Sequence, residues 1–250
     1  MGVTKSGYAV SRAQWNRLAA RFNSSVCDIV AGDRDRVVDG LVEVALKRRP
    51  RPVVIDLGCG MGTFIRRYGR RFSKSIGADF AERMLRGARR RCAKVPRVRW
   101  VCSSVEEAPK RVGEMADLSV CMNVLTSPDA ALRRRQWKAL GKITKPGGCT
   151  IVVLPSLESS ELVAQVEEKL RPGSSGARSG DGTVVNRGKA RQKHYTRKEL
   201  REAAERAGFR VVKLVRVPYP WKDEGVEATK TVTRGRQPWD WALLGARREK

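Results

Sequence analysis

Near residue 60 the chain reads Asp56-Leu57-Gly58-Cys59-Gly60-Met61-Gly62, directly after the apolar run Val53-Val54-Ile55 and directly before a helical pattern over 62–71. A short β-branched run of this kind reads as a strand buried on both faces. Three glycines at alternate positions between a strand and a helix allow backbone angles and a close approach that a Cβ would forbid. Few folds place such a turn there, and those that do bring a ligand against it. Downstream the pattern alternates: strand 75–79, helix 81–93, strand 98–102, a short helix near 105–112, strand 118–122, helix 129–144 and strand 149–154. Such alternation is the pattern of a doubly wound parallel α/β sheet.

Asp79 stands at the tip of the second strand, where a carboxylate accepts both hydroxyl protons of a ribose. Glycine turn and acid together point to an adenosyl ligand. The Asp-x-Gly-x-Gly-x-Gly order resembles motif I of the class I S-adenosylmethionine-dependent methyltransferases (type 11/12-like domains) more than the dinucleotide fingerprint. The resemblance covers about 51–154 well and the remainder more weakly. It implies a seven-stranded, mostly parallel Rossmann-like sheet with an antiparallel last strand, and S-adenosyl-L-methionine as cofactor. It also implies cofactor contacts at Asp56, Gly58, Cys59, Gly60, Gly62, Asp79, Phe80, Ser104, Val105 and Asn123. Ser104 takes the place of the acid that family members often direct at the adenine amino group, and a hydroxyl accepts that bond more weakly. The segment 117–125 is similar to motif IV, which makes Asn123 a pocket-lining and candidate catalytic residue. The Asn-Pro-Pro-Tyr signature of amino-group enzymes and the Pro-Cys nucleophile of cytosine C5 enzymes are both missing. Cys121, inside the strand, reads as core.

His194, the single histidine, and Tyr195 precede a helix over 196–207 in an order similar to the Tyr-Thr-x-x-Glu-Leu of small-molecule methyltransferases. His194 is a candidate proton acceptor and Tyr195 a candidate substrate-side residue. The alternative is that both lead into an N-cap at Thr196, with Glu199 closing a capping box.

Lys and Arg number 52 against 26 Asp and Glu, a formal net charge of +26 that attracts polyanions. The basic stretches Arg66-Arg67, Arg70-Arg71, Arg89-Arg90-Arg91 and Arg133-Arg134-Arg135 fall on outer helices, where they suit a phosphate backbone. Another cluster, Arg171, Arg178, Arg187, Lys189, Arg191 and Lys193, falls in a Gly/Ser-rich stretch that reads as a mobile loop. Arg191 is thereby a candidate substrate-side residue, as part of a loop able to close over the site. Trp221, Trp239 and Trp241 are candidates for base stacking or for edge-strand packing.

The favoured acceptor is RNA or a ribonucleoprotein substrate. The alternatives are a small-molecule acceptor and a catalytically silent RNA-binding assembly factor with the same fold. Residues 1–50 read as an N-terminal helical lid, with Trp15, Leu18, Ala19 and Phe22 on one helical face. Residues 51–250 read as the cofactor-binding domain, with a helix-plus-loop insertion at about 155–195. No apolar run reaches the length of a membrane span. The six scattered cysteines contain no Cys-x-x-Cys pair, so a metal site is not expected and a reducing compartment is, either the cytoplasm or, from the basic, acid-free residues 1–27, the mitochondrial matrix. Gly2 and Ser6 also fit a myristoylation pattern.

Overall fold

A computed structural model describes residues 11–19, 29–173, 179–185, 191–227 and 229–249. Five parallel strands come first: β1 (Val53–Leu57), β2 (Lys74–Asp79), β3 (Val98–Cys102), β4 (Ala116–Met122) and β5 (Thr144–Pro155). A hairpin, β6 (Thr183–Val185) with β7 (Arg191–Lys193), stands apart from the main sheet. The last strands, β8 (Phe209–Pro218) and β9 (Trp239–Arg247), complete the order β3-β2-β1-β4-β5-β9-β8, with β9 antiparallel to both neighbours. The direction of winding reverses between β1 and β4, and in open α/β sheets the crevice at that point holds the ligand.

Both faces of the sheet are covered, which is why β1 carries no polar alternation. Val54 joins one core, with Leu118, Val120, Ile151 and Val153; Ile55 and Leu57 join the other, with Val152, Leu154 and Leu243. The second core is closed by α7 (Ala130–Ile143), α8 (Leu157–Leu170) and α9 (Arg197–Arg206) through Trp137, Leu140, Leu162 and Leu200. The first is closed by α2 (Ile29–Gly32), α3 (Val37–Arg48) and α4 (Thr63–Tyr68), with α1 being Arg12–Leu18. The remaining helices are α5 (Glu82–Arg91), α6 (Ala108–Val112) and α10 (Lys230–Thr233).

The boundary expected near residue 50 does not separate a lid from a domain. Val38, Leu41, Val42 and Ala45 of α3 are buried against the sheet, and Asp33 caps that helix by accepting from the N–H groups of Val37 (2.8 Å) and Val38 (2.7 Å). Only α1 lies outside this layer, docked on α5, where Asn16 accepts from the Arg83 N–H at 3.0 Å. The segment Lys145-Pro146-Gly147-Gly148, between the expected helix 129–144 and strand 149–154, is the bulged start of β5, with Gly147 at φ 70°.

The stretch read as a mobile loop contains the β6–β7 ladder, which aligns Thr183 with Lys193 and Val185 with Arg191. Lys193 does not face a substrate. It is 3% exposed, donates to the Asp181 carbonyl at 2.6 Å and pairs with Glu199 at 2.7 Å. Arg178, Arg187 and Lys189 of the same cluster, like Gly2, Ser6 and Phe22, lie outside the described residues.

Two of the outer-helix arginines are likewise consumed within the protein. Arg67 donates to the Val30 carbonyl at 3.0 Å and to Asp39 at 2.8 Å, and Arg71 forks onto Glu43. Burial pushes the Asp39 carboxyl up, but hydrogen bonds from Tyr68, Arg36 and Arg67 outweigh it and hold the group down at about 2. Arg89, Arg90, Arg134 and Arg135 are exposed. Among the described residues no helix is long and apolar enough to cross a membrane.

Candidate functional site

The turn leaving β1 is left-handed at Gly58 (φ 70°), Gly60 (φ 50°) and Gly62 (φ 74°). At Gly58 a side chain is also sterically excluded, because a Cβ there would lie 2.3 Å from Cγ2 of Val124. That near-contact seats the loop after β4 directly on the glycine turn. The turn is pinned to β2 by hydrogen bonds from Gly58 N–H (2.7 Å) and Cys59 N–H (3.1 Å) to the Ala78 carbonyl.

Asp79 ends β2 and is 6% exposed. One carboxylate oxygen accepts from Gly60 N–H at 2.9 Å and the other from Ala81 N–H at 2.8 Å. Burial raises its pKa, and those two N–H donors oppose the rise. Each oxygen retains a lone pair, the arrangement that a vicinal diol needs. Asp56 (4% exposed) is held in the sheet between Gly77 of β2 and Val120 of β4. Cys59 is buried, and burial pushes its thiol well up, so it offers the turn its backbone rather than a thiolate. Phe80 follows Asp79, with the Arg12 guanidinium of α1 5.9 Å from its ring centre.

At the end of β3, Ser103 N–H donates to the Asp79 carbonyl at 3.0 Å, which brings the Ser104-Val105 turn beside the same acid. Ser104 is partly exposed, and Val105 is packed in the core. Two residues on, a Glu106 carboxylate oxygen is buried without a hydrogen-bond partner among the described residues. Sequence reasoning did not single it out.

Beyond β4 the chain turns at Asn123, which is left-handed (φ 54°) and donates its N–H to the Val153 carbonyl at 2.8 Å. Its side-chain amide donates to Asp240 at 3.3 Å, while its Oδ1 is buried and has no hydrogen-bond partner among the described residues. Asp240 was also missed. It lies in β9 opposite Pro155 of β5 and Val217 of β8, so antiparallel pairing delivers it to the carboxyl end of the parallel strands. It is 4% exposed; burial raises its pKa to about 7, Asn123 opposing and Glu224 adding to the rise. Cys121 is fully buried and its thiol pushed far up, so it lies in the strand as core.

His194 and Tyr195 come together with this region through backbone pairing. Tyr195 N–H donates to the Pro155 carbonyl at 2.8 Å, and its buried hydroxyl donates to the Leu125 carbonyl at 2.6 Å. With its pKa raised to about 12, mainly by burial, that hydroxyl is a strut for the post-β4 loop and stays protonated. His194 Nδ1 sits 3.4 Å from the Ser156 carbonyl and is partly exposed. Thr196 and Glu199 form the capping box of α9. Arg191 is partly exposed on β7. Trp239 and Trp241 are buried, Trp241 Nε1 donating to Glu158 at 3.0 Å, so both pack the edge strands rather than offer a face to a base.

The carboxyl ends of the strands thus carry a buried acid fixed by two backbone N–H groups, the glycine turn beside it, and a polar Asn–Asp pair after β4. Residues 54–148 match a family model described as a methyltransferase domain. No curated protein is matched at the level of sequence. Several solved structures share the fold. The N-methyltransferase NodS from Bradyrhizobium japonicum, solved with S-adenosyl-L-homocysteine, aligns with a TM-score of 0.63 at 14% identity over 95% of this chain and 98% of its own. The 1,6-didemethyltoxoflavin-N1-methyltransferase of Burkholderia thailandensis aligns with a TM-score of 0.63 at 14% identity over 95% and 87%. Magnesium protoporphyrin IX methyltransferase from Synechocystis PCC 6803 aligns with a TM-score of 0.60 at 15% identity over 94% of each chain. Residues 54–148 thus carry the methyltransferase-domain pattern, and the chain as a whole has the fold of these S-adenosylmethionine-dependent methyltransferase structures.

Proposed function

We propose that this protein transfers the methyl group of S-adenosylmethionine to an acceptor of small-molecule size bound beside Asn123 and Asp240. The observation that carries the cofactor reading is Asp79, a buried carboxylate fixed by Gly60 and Ala81 with one further lone pair left on each oxygen, which suits a vicinal diol. Gly58, Gly60 and Gly62 leave room for the methionine portion, Ser104 meets the adenine edge, and α1 covers Phe80 as a lid of its own. The cofactor supplies an activated methyl group on a sulfonium. The chain has to align acceptor and donor and exclude water, which requires few reactive side chains.

Small-molecule size is favoured by the charge of the acceptor end. Glu224 and Asp240 lie close enough there to act on each other, and Lys193, Arg67 and Arg71 are tied up elsewhere. A phosphate backbone is disfavoured beside like-charged carboxylates. One of the similar folds holds bound 1,6-didemethyltoxoflavin, a molecule of the size proposed. An RNA acceptor is the second reading, favoured by the net charge of +26 and the exposed Arg89, Arg90, Arg134 and Arg135. Methyl-labelled cofactor incubated with protein and cell extract, then resolved into small-molecule, RNA and protein pools, separates the readings. Label in the small-molecule pool is the expected result. Label in RNA replaces it with the second reading, and cofactor binding without transfer to any pool points to a silent assembly factor.

The adenine end gives a further expectation. Ser104→Asp should tighten cofactor binding about fivefold, because an ionised acceptor gains about 1 kcal/mol over a hydroxyl toward an amino group. Calorimetry reads this directly, and a loss of affinity with the fold intact would remove Ser104 from the adenine edge.

A further inference from the structure

Asp240 is a buried side chain that the packing does not account for. It interrupts the apolar run of β9 and is 4% exposed, and among the described residues the charged group that acts on it is Glu224, a like charge on the turn Trp221–Glu224. Arg216, on the neighbouring strand, stacks 4.2 Å from the ring centre of Trp239, on the face of β9 opposite to Asp240. From β4 it meets the neutral amide of Asn123, and the strand residues opposite it are Pro155 and Val217. A buried carboxylate with no cation costs stability, and such costs persist where the group has work to do. Its place is specific: Asn123 bonds it, Val124 abuts Gly58 of the glycine turn, and Asn123 Oδ1, on the same amide, is buried without a hydrogen-bond partner among the described residues.

Building on the methyl-transfer reading above, we infer that Asp240 is the proton acceptor for an amine substrate, which Asn123 Oδ1 holds by one N–H while Asp240 takes another. The amine nitrogen forms a bond to the methyl carbon as the carbon–sulfur bond breaks, and that bonding pair stays on sulfur, leaving S-adenosylhomocysteine. The proton carried by nitrogen passes to the Asp240 carboxylate and from there to solvent. A carboxylate with no cation among the described residues that act on it and an amide oxygen with no donor among them are both acceptors, so the site selects a group that brings donors and positive charge. An amine does so, and a carboxylate or phosphate does not.

The test uses the full chain saturated with S-adenosylhomocysteine and a fragment set of primary, secondary and aromatic amines with shape-matched alcohols and carboxylates, scored by NMR and calorimetry. Amines should be selected, and Asp240→Asn should weaken them at least about tenfold at pH 8, the loss of one charge-assisted hydrogen bond. Binding should strengthen with pH through about 7 in the native chain and lose that dependence in Asp240→Asn. Glu224→Gln provides a control that keeps the carboxylate: removal of the like charge should shift the midpoint to lower pH, a change that a merely structural Asp240 would not give. Amines that bind equally to Asp240→Asn, or a fragment set showing no preference for amines, would overturn the inference. Failure of the methyl-transfer reading has a different signature, absence of cofactor binding in the native chain.

Discussion

Replacing Asp79 with alanine is expected to weaken S-adenosylmethionine binding by about 100- to 1,000-fold while leaving the protein folded. Each ribose hydroxyl donating to an ionised carboxylate contributes about 1.5 kcal/mol or more, so losing two removes about 3–4 kcal/mol. The substitution also deprives Gly60 N–H and Ala81 N–H of their acceptor, and the turn that those bonds hold at 2.9 and 2.8 Å loosens. Asp79→Asn should fall between, since an amide keeps one acceptor oxygen but must present an N–H toward one of its present donors. A pH series adds an independent check. Burial raises the Asp79 pKa against the opposing N–H donors, so the neutral acid persists to higher pH than an exposed aspartate would allow. Cofactor affinity should therefore fall as pH drops through that raised value, because the protonated group has lost one acceptor. Calorimetry on the two variants, with circular dichroism to confirm folding, reads both effects. Equal affinity in Asp79→Ala and the native chain would remove Asp79 from the cofactor site.

The end of the crevice that holds Asp79 was legible in the sequence, because its parts are local: the strand Val53–Leu57, the glycine spacing and an acid at the tip of the next strand lie within thirty residues of one another. Period and turn chemistry suffice for such a site. The proposed acceptor end was not legible, because long-range pairing assembles it. Asp240 reads as a polar residue between two tryptophans until β9 is threaded antiparallel between β5 and β8, which sets it beside Asn123. The pairing of three basic residues was hidden for a related reason. Lys193, Arg67 and Arg71 look like free charges in the sequence, and their partners Glu199, Asp39 and Glu43 meet them only in the folded chain. The ladder in 183–193 escaped notice because strands of three residues carry too little alternation to register against a Gly/Ser-rich background.

Asp240→Asn is expected to make the protein more stable at alkaline pH even as it impairs amine binding. The folded-state pKa of about 7 lies above the 3.8 of the unfolded chain, so the folded state favours the protonated acid. That contribution is fully present below about pH 4 and is lost as pH rises through about 7, where the unfolded chain has long since released its proton. Between those limits the native protein should lose up to about 4 kcal/mol from this one group, and less if water reaches the carboxylate. An asparagine of the same shape carries no charge at any pH, and its carbonyl oxygen still accepts from the Asn123 amide that now reaches Asp240 at 3.3 Å. The difference between the two proteins isolates the effect from other acid-sensitive groups such as Asp39, whose own pH dependence is common to both. Urea denaturation at pH 4.5 should therefore give nearly equal stabilities, and at pH 8.5 the variant should lead by a few kcal/mol. A variant that is equally or less stable at pH 8.5 would mean that the native carboxylate is compensated when ionised, and an Asp240 so compensated has no reason to take a proton from a substrate.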